Sequence, residues 1–152
     1  MRTLYVTDLD GTLLNSNDRI SQYSIRTINE LVAKGMHFTY ATARSLVSAT
    51  VVAQGLSTTI PVIVYNGVLI INPSTGEVLS SLSFTKEESK DVRKTLQAYG
   101  AAPLVYAYVD GVERVSYVAG RKNEGFCVHK ARFSIYLKPR RSSKSSHTGN
   151  LP

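Results

Sequence analysis

Two carboxylates near the N-terminus are the side chains of this sequence best placed to do chemistry. Asp8 and Asp10 follow the apolar run at residues 4–7, and Gly11 and Thr12 come directly after them. Because alternate residues of a strand point to the same side, both carboxylates should face one place at the strand's end. Such a pair is suited to nucleophilic and acid–base work on an ester beside a bound cation.

The sequence around this pair favours a site over an ordinary turn. Asp10 and Gly11 alone are compatible with a solvated turn, since Asp-Gly is a common turn pair. Residues 3–7, however, predict a buried strand, and an unpaired carboxylate directly after such a strand is costly. The carboxyl end of a strand is also where open α/β sheets carry their chemistry.

The elements that would position this pair alternate between strand and helix. Strands are predicted at residues 3–7, 36–41 and 62–65, with helices between them at about 22–34 and 45–54. Serines at both helix starts and glycines just past both helix ends support the helices: Ser21, Gly35, Ser45 and Gly55. This order predicts a parallel sheet with right-handed crossovers, a Rossmann-like α/β core.

The pattern changes after Asn66 and Gly67. The sequence predicts a hairpin from residues 68–71 and 78–83, a polar helix at 86–99, and a second hairpin from 104–109 and 112–118. A helix and hairpin appended to a parallel core fit the beginning of an α+β cap domain. The predicted organisation is therefore part of the core at 1–83, a partial cap at 84–124 and a tail at 125–152.

Composition and charge exclude several classes of protein. The single cysteine, Cys127, excludes an internal disulfide and fits a reducing compartment. No signal peptide and no membrane-spanning apolar run is visible, so the predicted location is the cytoplasm. Six of the seven net positive charges come from residues 125–152, which contain six basic and no acidic residues. A nucleic-acid-binding protein is the hypothesis that this tail supports by charge alone, and the near-neutral remainder argues against it.

The residues around the carboxylates resemble the first motif of the haloacid dehalogenase-like hydrolases. That motif is Asp8 to Thr12 here. The following Leu13, Leu14 and Asn15, and then Ile20 and Ser21 at the start of a helix, resemble the Cof-type phosphatases (subfamily IIB), which carry a large inserted cap. Thr42, Ala43 and Arg44 are similar to the second motif of that subgroup, which usually reads Thr-Gly-Arg. Asn66 and Gly67 match another recurrent feature. The resemblance runs from residue 1 to about residue 118.

The resemblance implies a phosphoric monoester hydrolase that acts on small phosphorylated metabolites such as sugar phosphates. Asp8 would be the nucleophile that forms an aspartyl-phosphate, and Asp10 the general acid and then base. Mg²⁺ would be held by the Asp8 side chain and the Asp10 backbone carbonyl. The positions implied to bind phosphate or substrate are Leu9, Gly11, Thr42, Ala43, Arg44, Asn66 and Gly67.

Several of these residues have a structural interpretation as well. The Thr42 hydroxyl could donate to phosphate or cap the following helix. Arg44 could neutralise substrate or pair with a carboxylate, and Asn66 with Gly67 could form a type I′ turn or a substrate-facing loop. His37, within an apolar strand, is interpreted as a core residue rather than a ligand, and no role is assigned to His129 or His147.

Two motifs implied by the resemblance are absent from the sequence. No acidic residue follows Glu124, so the fourth-motif acidic pair is missing, and Lys130 lacks the context of the third-motif lysine. The expectation is a phosphatase truncated or frameshifted near Gly125, with an open sheet edge and impaired turnover. The alternative from another class is an inactive module that binds phosphate and Mg²⁺. Substrate identity and oligomeric state are not predicted.

Overall fold

The computed structural model describes residues 3–109 and 112–116 of the chain. These residues fall into two compact units, one ending at Thr95 and the other beginning at Leu96. The predicted tail at 125–152, with Cys127 and the two histidines assigned no role, lies outside the described residues. So does the predicted turn at Asp110 and Gly111. The predicted boundary between core and cap near Phe84 stays a prediction.

The first unit is built on a parallel sheet, as the sequence predicts. Strand β1 (Leu4–Thr7) pairs in parallel with β2 (His37–Tyr40), from Leu4 opposite His37 to Thr7 opposite Tyr40. Strand β3 (Val62–Val64) adjoins the other edge of β2 through a parallel bridge between Ala41 and Ile63. The carboxyl ends of β1, β2 and β3 therefore lie side by side, which is the arrangement needed to gather their following loops.

Helix α1 (Gln22–Ala33) connects β1 to β2 and is capped at both ends by its own sequence. The Ser21 hydroxyl accepts a hydrogen bond from the Ser24 N–H at 3.0 Å. At the other end Gly35 adopts φ +97°, and its N–H and that of Met36 donate to the carbonyls of Val32 and Leu31. This is a Schellman motif, which requires a left-handed residue and explains why a glycine stands there.

Helix α2 (Leu46–Val52) connects β2 to β3 and is shorter than the sequence predicts. Its start matches the prediction, since the Ser45 hydroxyl accepts from the Ser48 N–H at 3.2 Å. Past its end, the Asn29 side chain of α1 donates to the Gly55 carbonyl at 2.8 Å and accepts from the Ser57 N–H at 2.7 Å. Asn29 thereby satisfies two backbone groups in the loop after α2, and it ties that loop to α1.

The hydrophobic core is formed by β2, β3, α2 and the following strand β4 (Leu69–Ile71), together with the turn after β1. Its most buried apolar side chains are Leu9, Ile20, Phe38, Tyr40, Ala49, Val62, Val64, Leu69 and Ile71. Burial raises the pKa of the Tyr40 phenol above its ordinary value. The Thr39 hydroxyl is buried too, and it donates to the Pro61 carbonyl at 2.7 Å, which holds the start of β3 against β2.

Strand β1 is not buried, and in this respect the sequence-based prediction is wrong. The exposed fractions of Leu4, Tyr5 and Val6 are 51%, 54% and 49%. Within the described residues β1 pairs with β2 alone, so its other edge has no neighbouring strand. Apolar composition favours a strand, but burial also needs a neighbour on each side. Asp8 therefore does not follow a buried strand, and Asp8 itself is exposed as well.

The remaining elements are antiparallel strands and one long helix, as predicted. Strand β4 (Leu69–Ile71) lies between β3 and β5 (Val78–Ser81) in antiparallel pairings. Helix α3 (Lys86–Ala98) follows, and β6 (Val105–Val109) with β7 (Val112–Ser116) form a separate hairpin. Among the described residues, no helix has the length and apolar character required to cross a membrane.

The capping box at the start of α3 should make this helix sensitive to acid. The Thr85 N–H donates to Glu88 Oε2 at 2.8 Å, and the Glu88 N–H donates to the Thr85 hydroxyl at 3.1 Å. The bond from the Thr85 N–H lowers the pKa of Glu88. The stabilisation is therefore complete above the unfolded pKa of about 4.3 and is lost as the pH falls through the lower folded pKa.

A Glu88→Gln variant is the matched control, because glutamine also completes a capping box. At neutral pH the wild type should have the more stable helix, and this advantage should be lost as the pH falls from about 4.3 through the lower folded pKa of Glu88. Thermal unfolding followed by circular dichroism across this range measures the difference. A difference that does not change with pH would contradict the prediction.

Candidate active site

The turn after β1 is shaped by Gly11 and anchored by Leu9. Asp10 has φ −75° and ψ 122°, and Gly11 has φ +75° and ψ −1°, which are type II turn values that favour glycine at the second position. The Leu9 side chain is fully buried, whereas Asp8, Asp10 and Gly11 are exposed. Burial of the middle residue fixes the segment to the core and leaves both carboxylates accessible to solvent.

Arg44 pairs with Asp10, which is the second of the two interpretations offered for this arginine. Its Nε donates to Asp10 Oδ2 at 2.8 Å and its Nη2 to Asp10 Oδ1 at 2.5 Å, a bidentate contact. The Arg44 side chain is 8% exposed and that of Asp10 is 45% exposed. The hydrogen bond with Asp10 is the main cause that raises the pKa of Arg44 above its ordinary value.

Two further partners of Arg44 were missed by the sequence analysis. Its Nη2 also donates to Asp18 Oδ1 at 3.3 Å, and its Nη1 donates to the Ser48 hydroxyl at 3.3 Å. Ser48 lies one helical turn after Arg44, and its position three residues after the cap at Ser45 only weakly indicates that it contacts Arg44. Asp18 lies in the loop before α1, and nothing in its sequence neighbourhood indicates a partner in the second motif.

Thr42 is buried and supports the backbone that carries Arg44. Its N–H donates to the Ile63 carbonyl at 2.9 Å, and its hydroxyl accepts from the Arg44 N–H at 3.1 Å. The helix-capping interpretation of Thr42 does not apply, because Ser45 caps α2. A hydroxyl that accepts one hydrogen bond still has a proton to donate, so the phosphate interpretation of Thr42 stays a prediction. Ala43 is exposed between Thr42 and Arg44.

Asn66 and Gly67 form the tight turn that was one of their two interpretations. Their φ values are +55° and +91°, and the Val68 N–H donates to the Tyr65 carbonyl at 3.2 Å, as in a type I′ turn. The turn also contacts the second motif, since the Asn66 N–H donates to the Thr42 carbonyl at 3.0 Å. A contact of this turn with substrate stays a prediction.

Tyr65, just before this turn, has an unusual backbone conformation. Its φ of +53° lies in the left-handed region, which a bulky residue rarely adopts, and its N–H donates to the Arg44 carbonyl at 3.0 Å. Such strained residues cluster at functional sites, because the surrounding structure must hold them in place. The strain here lies beside the backbone that carries Arg44.

The structure thus connects Asp10, Thr42, Arg44 and Asn66 through hydrogen bonds, with Asp18 and Ser48 as additions. Asp8 is exposed at the end of β1, where its carbonyl accepts from the Thr7 hydroxyl at 2.9 Å. The described part of the chain contains no group of three or more histidine, cysteine or acidic side chains that could together hold a metal ion. His37 begins β2 opposite Leu4 and is only partly buried, so it is not the core residue that the sequence suggests.

A separate cavity of about 350 Å³ lies along α3. Its lining consists of Phe84, Lys86, Ser89, Lys90 and Arg93. None of these residues belongs to the predicted site, so this cavity is distinct from the carboxylate turn.

The chain itself belongs to a known family of hydrolases. The family model for haloacid dehalogenase-like hydrolases matches residues 5–147, and the chain is a member of that family. Its α/β fold is that of the family's solved structures. The resemblance seen in the first two motifs is thereby confirmed at the level of the family.

Individual relatives include enzymes and solved structures from bacteria. The chain is 33% identical over 70 residues to 5-amino-6-(5-phospho-D-ribitylamino)uracil phosphatase YitU of Bacillus subtilis, covering 46% of this chain and 26% of that protein. The chain is also similar to a Thermotoga maritima protein of known crystal structure, with 29% sequence identity and a TM-score of 0.63. That match covers 88% of this chain and 48% of the Thermotoga maritima chain.

A third relative is a haloacid dehalogenase-like hydrolase of Bacteroides thetaiotaomicron, also known from its crystal structure. It is 26% identical, with a TM-score of 0.60, and the match covers 70% of this chain and 41% of that one. The chain therefore spans about a quarter of the length of the curated relative and less than half of these solved structures.

Proposed function

We propose that this chain provides the nucleophile and the acid–base residue of a magnesium-dependent phosphatase for small phosphorylated metabolites. The observation that carries the proposal is the turn after β1, where Asp8 and Asp10 are exposed on either side of the buried Leu9. Membership of the haloacid dehalogenase-like hydrolases supports it. The proposed mechanism proceeds through an aspartyl-phosphate.

Asp8 is the nucleophile in this mechanism. A carboxylate oxygen attacks phosphorus, the bond from phosphorus to the ester oxygen breaks, and an aspartyl-phosphate forms. Water then attacks phosphorus, inorganic phosphate leaves and the Asp8 carboxylate is restored. The exposure of Asp8 supports this role, because a nucleophile must be reached by its substrate.

Asp10 transfers the protons that these two steps require. It donates a proton to the departing ester oxygen and later accepts one from the attacking water. Phosphoryl oxygens would be bound by the Thr42 hydroxyl and by groups of the neighbouring loops. The proposed positions in those loops are Leu9, Gly11, Ala43, Arg44, Asn66 and Gly67.

Magnesium would be held by the Asp8 carboxylate and the Asp10 backbone carbonyl. When bound, it supplies the positive charge that lets an anionic nucleophile approach an anionic phosphate. The residues fit this ion, because Mg²⁺ in phosphate sites takes one or two protein oxygens and completes its shell with water and substrate. The Asp10 carboxylate is engaged by Arg44, which suits ligation through its carbonyl instead.

The proposed substrates are phosphate monoesters such as sugar phosphates. The Bacillus subtilis relative is named for a phosphorylated ribityl compound, which belongs to this chemical class, although only 26% of that protein is matched. A cytoplasmic location stays a prediction. It rests on the single cysteine, which fits a reducing compartment.

Trapping of the covalent intermediate tests this proposal. The chain is incubated with 4-nitrophenyl phosphate and Mg²⁺, quenched in acid and digested, and its peptides are measured by mass spectrometry. The expected result is a phosphoryl group on the peptide that contains Asp8, and its loss when Mg²⁺ is replaced by a chelator. The Asp8→Asn variant should show no labelled peptide.

The same experiment separates the proposal from a module that only binds. Binding of inorganic phosphate that depends on Mg²⁺, with neither a labelled peptide nor turnover, would establish the binding module instead. Absence of label, turnover and phosphate binding together would overturn both hypotheses.

A further inference from the structure

We propose that Arg44 is a positioning residue whose guanidinium, anchored by Asp18 and Ser48, sets the direction of the Asp10 carboxylate. This inference rests on the proposed function, since Asp10 matters as an acid–base residue only in that reaction. It adds Asp18, outside the second motif, to the residues on which the site depends.

The burial of the two partners shows which of them orients the other. The Arg44 side chain is 8% exposed, whereas the Asp10 side chain is 45% exposed and belongs to an exposed turn. A charge removed from water must be hydrogen bonded, so the guanidinium has little freedom to leave its partners. The arginine is therefore the fixed member of the pair, and the aspartate conforms to it.

The bidentate contact specifies a direction as well as a distance. Arg44 Nε and Nη2 bind different oxygens of Asp10, at 2.8 and 2.5 Å. Two parallel hydrogen bonds to a planar carboxylate fix the orientation of its plane, which a single point charge such as lysine does not. The same contact therefore also fixes the direction of the Asp10 lone pairs that point away from Arg44.

The anchors of Arg44 come from two different parts of the chain. Nη1 binds the Ser48 hydroxyl of α2, and Nη2 binds Asp18 Oδ1 in the loop before α1, each at 3.3 Å. That loop is well organised, because the Asn15 side chain accepts from the N–H groups of Asn17 and Arg19 at 2.9 and 3.2 Å. Asp18 is thus held at a fixed place, with φ +53°.

Asp18→Asn tests the anchor without removing a proposed catalytic group. Asparagine retains the shape of aspartate and tolerates the left-handed backbone, so the fold should survive. The matched control is Asp91→Asn, because Asp91 pairs with Lys94 at 3.8 Å on the exposed surface of α3. Arg44→Lys is the conservative variant, which retains the charge but not the planar guanidinium that makes two parallel hydrogen bonds.

The first measurement does not depend on turnover. Nuclear magnetic resonance follows the exchange with water of the Arg44 Nε proton, which lies in the bond to Asp10. Asp18→Asn should accelerate this exchange about tenfold, the order expected for loss of a hydrogen bond between charged groups. Asp91→Asn should leave it unchanged. Unchanged exchange in Asp18→Asn would overturn the anchoring role, whether or not the chain is an enzyme.

The second measurement compares two leaving groups. An alkyl phosphate such as glycerol phosphate needs a proton from Asp10, whereas 4-nitrophenol leaves readily without one. Asp18→Asn and Arg44→Lys should therefore lower kcat on the alkyl phosphate about tenfold more than on 4-nitrophenyl phosphate, and Asp18→Asn should leave KM little changed. Equal losses on both substrates, or a rise in KM alone, would overturn the positioning role.

The exchange measurement and the comparison of leaving groups distinguish failure of the anchoring role from failure of the proposed function. If the wild type hydrolyses neither ester, the proposed function fails. The Arg44 exchange rates then still show whether Asp18 holds the pair in place.

Discussion

Replacement of Asp8 by asparagine should lower the hydrolysis of phosphate esters by about 10³-fold or more, because the amide cannot act as the nucleophile. The reaction is followed with 4-nitrophenyl phosphate and Mg²⁺, and kcat/KM is compared between variant and wild type. Because Asp8 is exposed at the end of β1, the free energy of unfolding should change by no more than about 0.5 kcal/mol.

The control for this loss is Asp91→Asn, which removes one carboxylate from the exposed surface of α3. It should retain the activity of the wild type. An Asp8→Asn variant that retains more than a small fraction of the activity would show that another group is the nucleophile. A large loss of stability in Asp8→Asn would instead assign Asp8 a role in the fold.

Replacement of Leu9 by alanine should destabilise the fold by about 2–5 kcal/mol, which is the usual cost of a cavity in a packed core. Leu9 is fully buried although both of its neighbours are exposed. The free energy of unfolding is measured by urea denaturation. Leu4→Ala in β1 is the matched control, because the same truncation at a half-exposed leucine should cost less than about 1 kcal/mol.

Comparison of these two leucine variants tests directly whether Leu9 anchors the turn that carries both carboxylates. If Leu9 anchors the turn, Leu9→Ala should also reduce activity, because both carboxylates lose their support. Equal stability losses in Leu9→Ala and Leu4→Ala would contradict the anchoring role. Such a result would also mean that β1 is covered in solution.

The local elements of the fold could be predicted because their signals are local. Ser21 and Gly35 mark the two ends of α1 through hydrogen bonds that span only a few residues. Alternation of side chains and turn residues likewise indicates the hairpins. The start and end of such elements are therefore readable from the sequence.

Burial and pairing could not be predicted in the same way. The apolar run of β1 indicates a strand, but its exposure depends on which strands lie beside it, and the run does not encode that. Asp18 and Arg44 are 26 residues apart, and no local pattern relates a loop aspartate to an arginine of the second motif. The left-handed backbone of Tyr65 is equally hidden, because a bulky residue such as tyrosine gives no local signal for that conformation.

The length of chain between paired strands has a consequence for the order of folding. Strands β3 and β4 pair from Val64 opposite Leu69, so this hairpin closes a short loop, whereas β1 pairs with β2 from Leu4 opposite His37. Closing the longer loop loses more chain entropy and is slower, so we expect β1 to join the sheet late. Asp10 and Arg44 then meet only as folding is completed, and their contact is a natural probe of the last step.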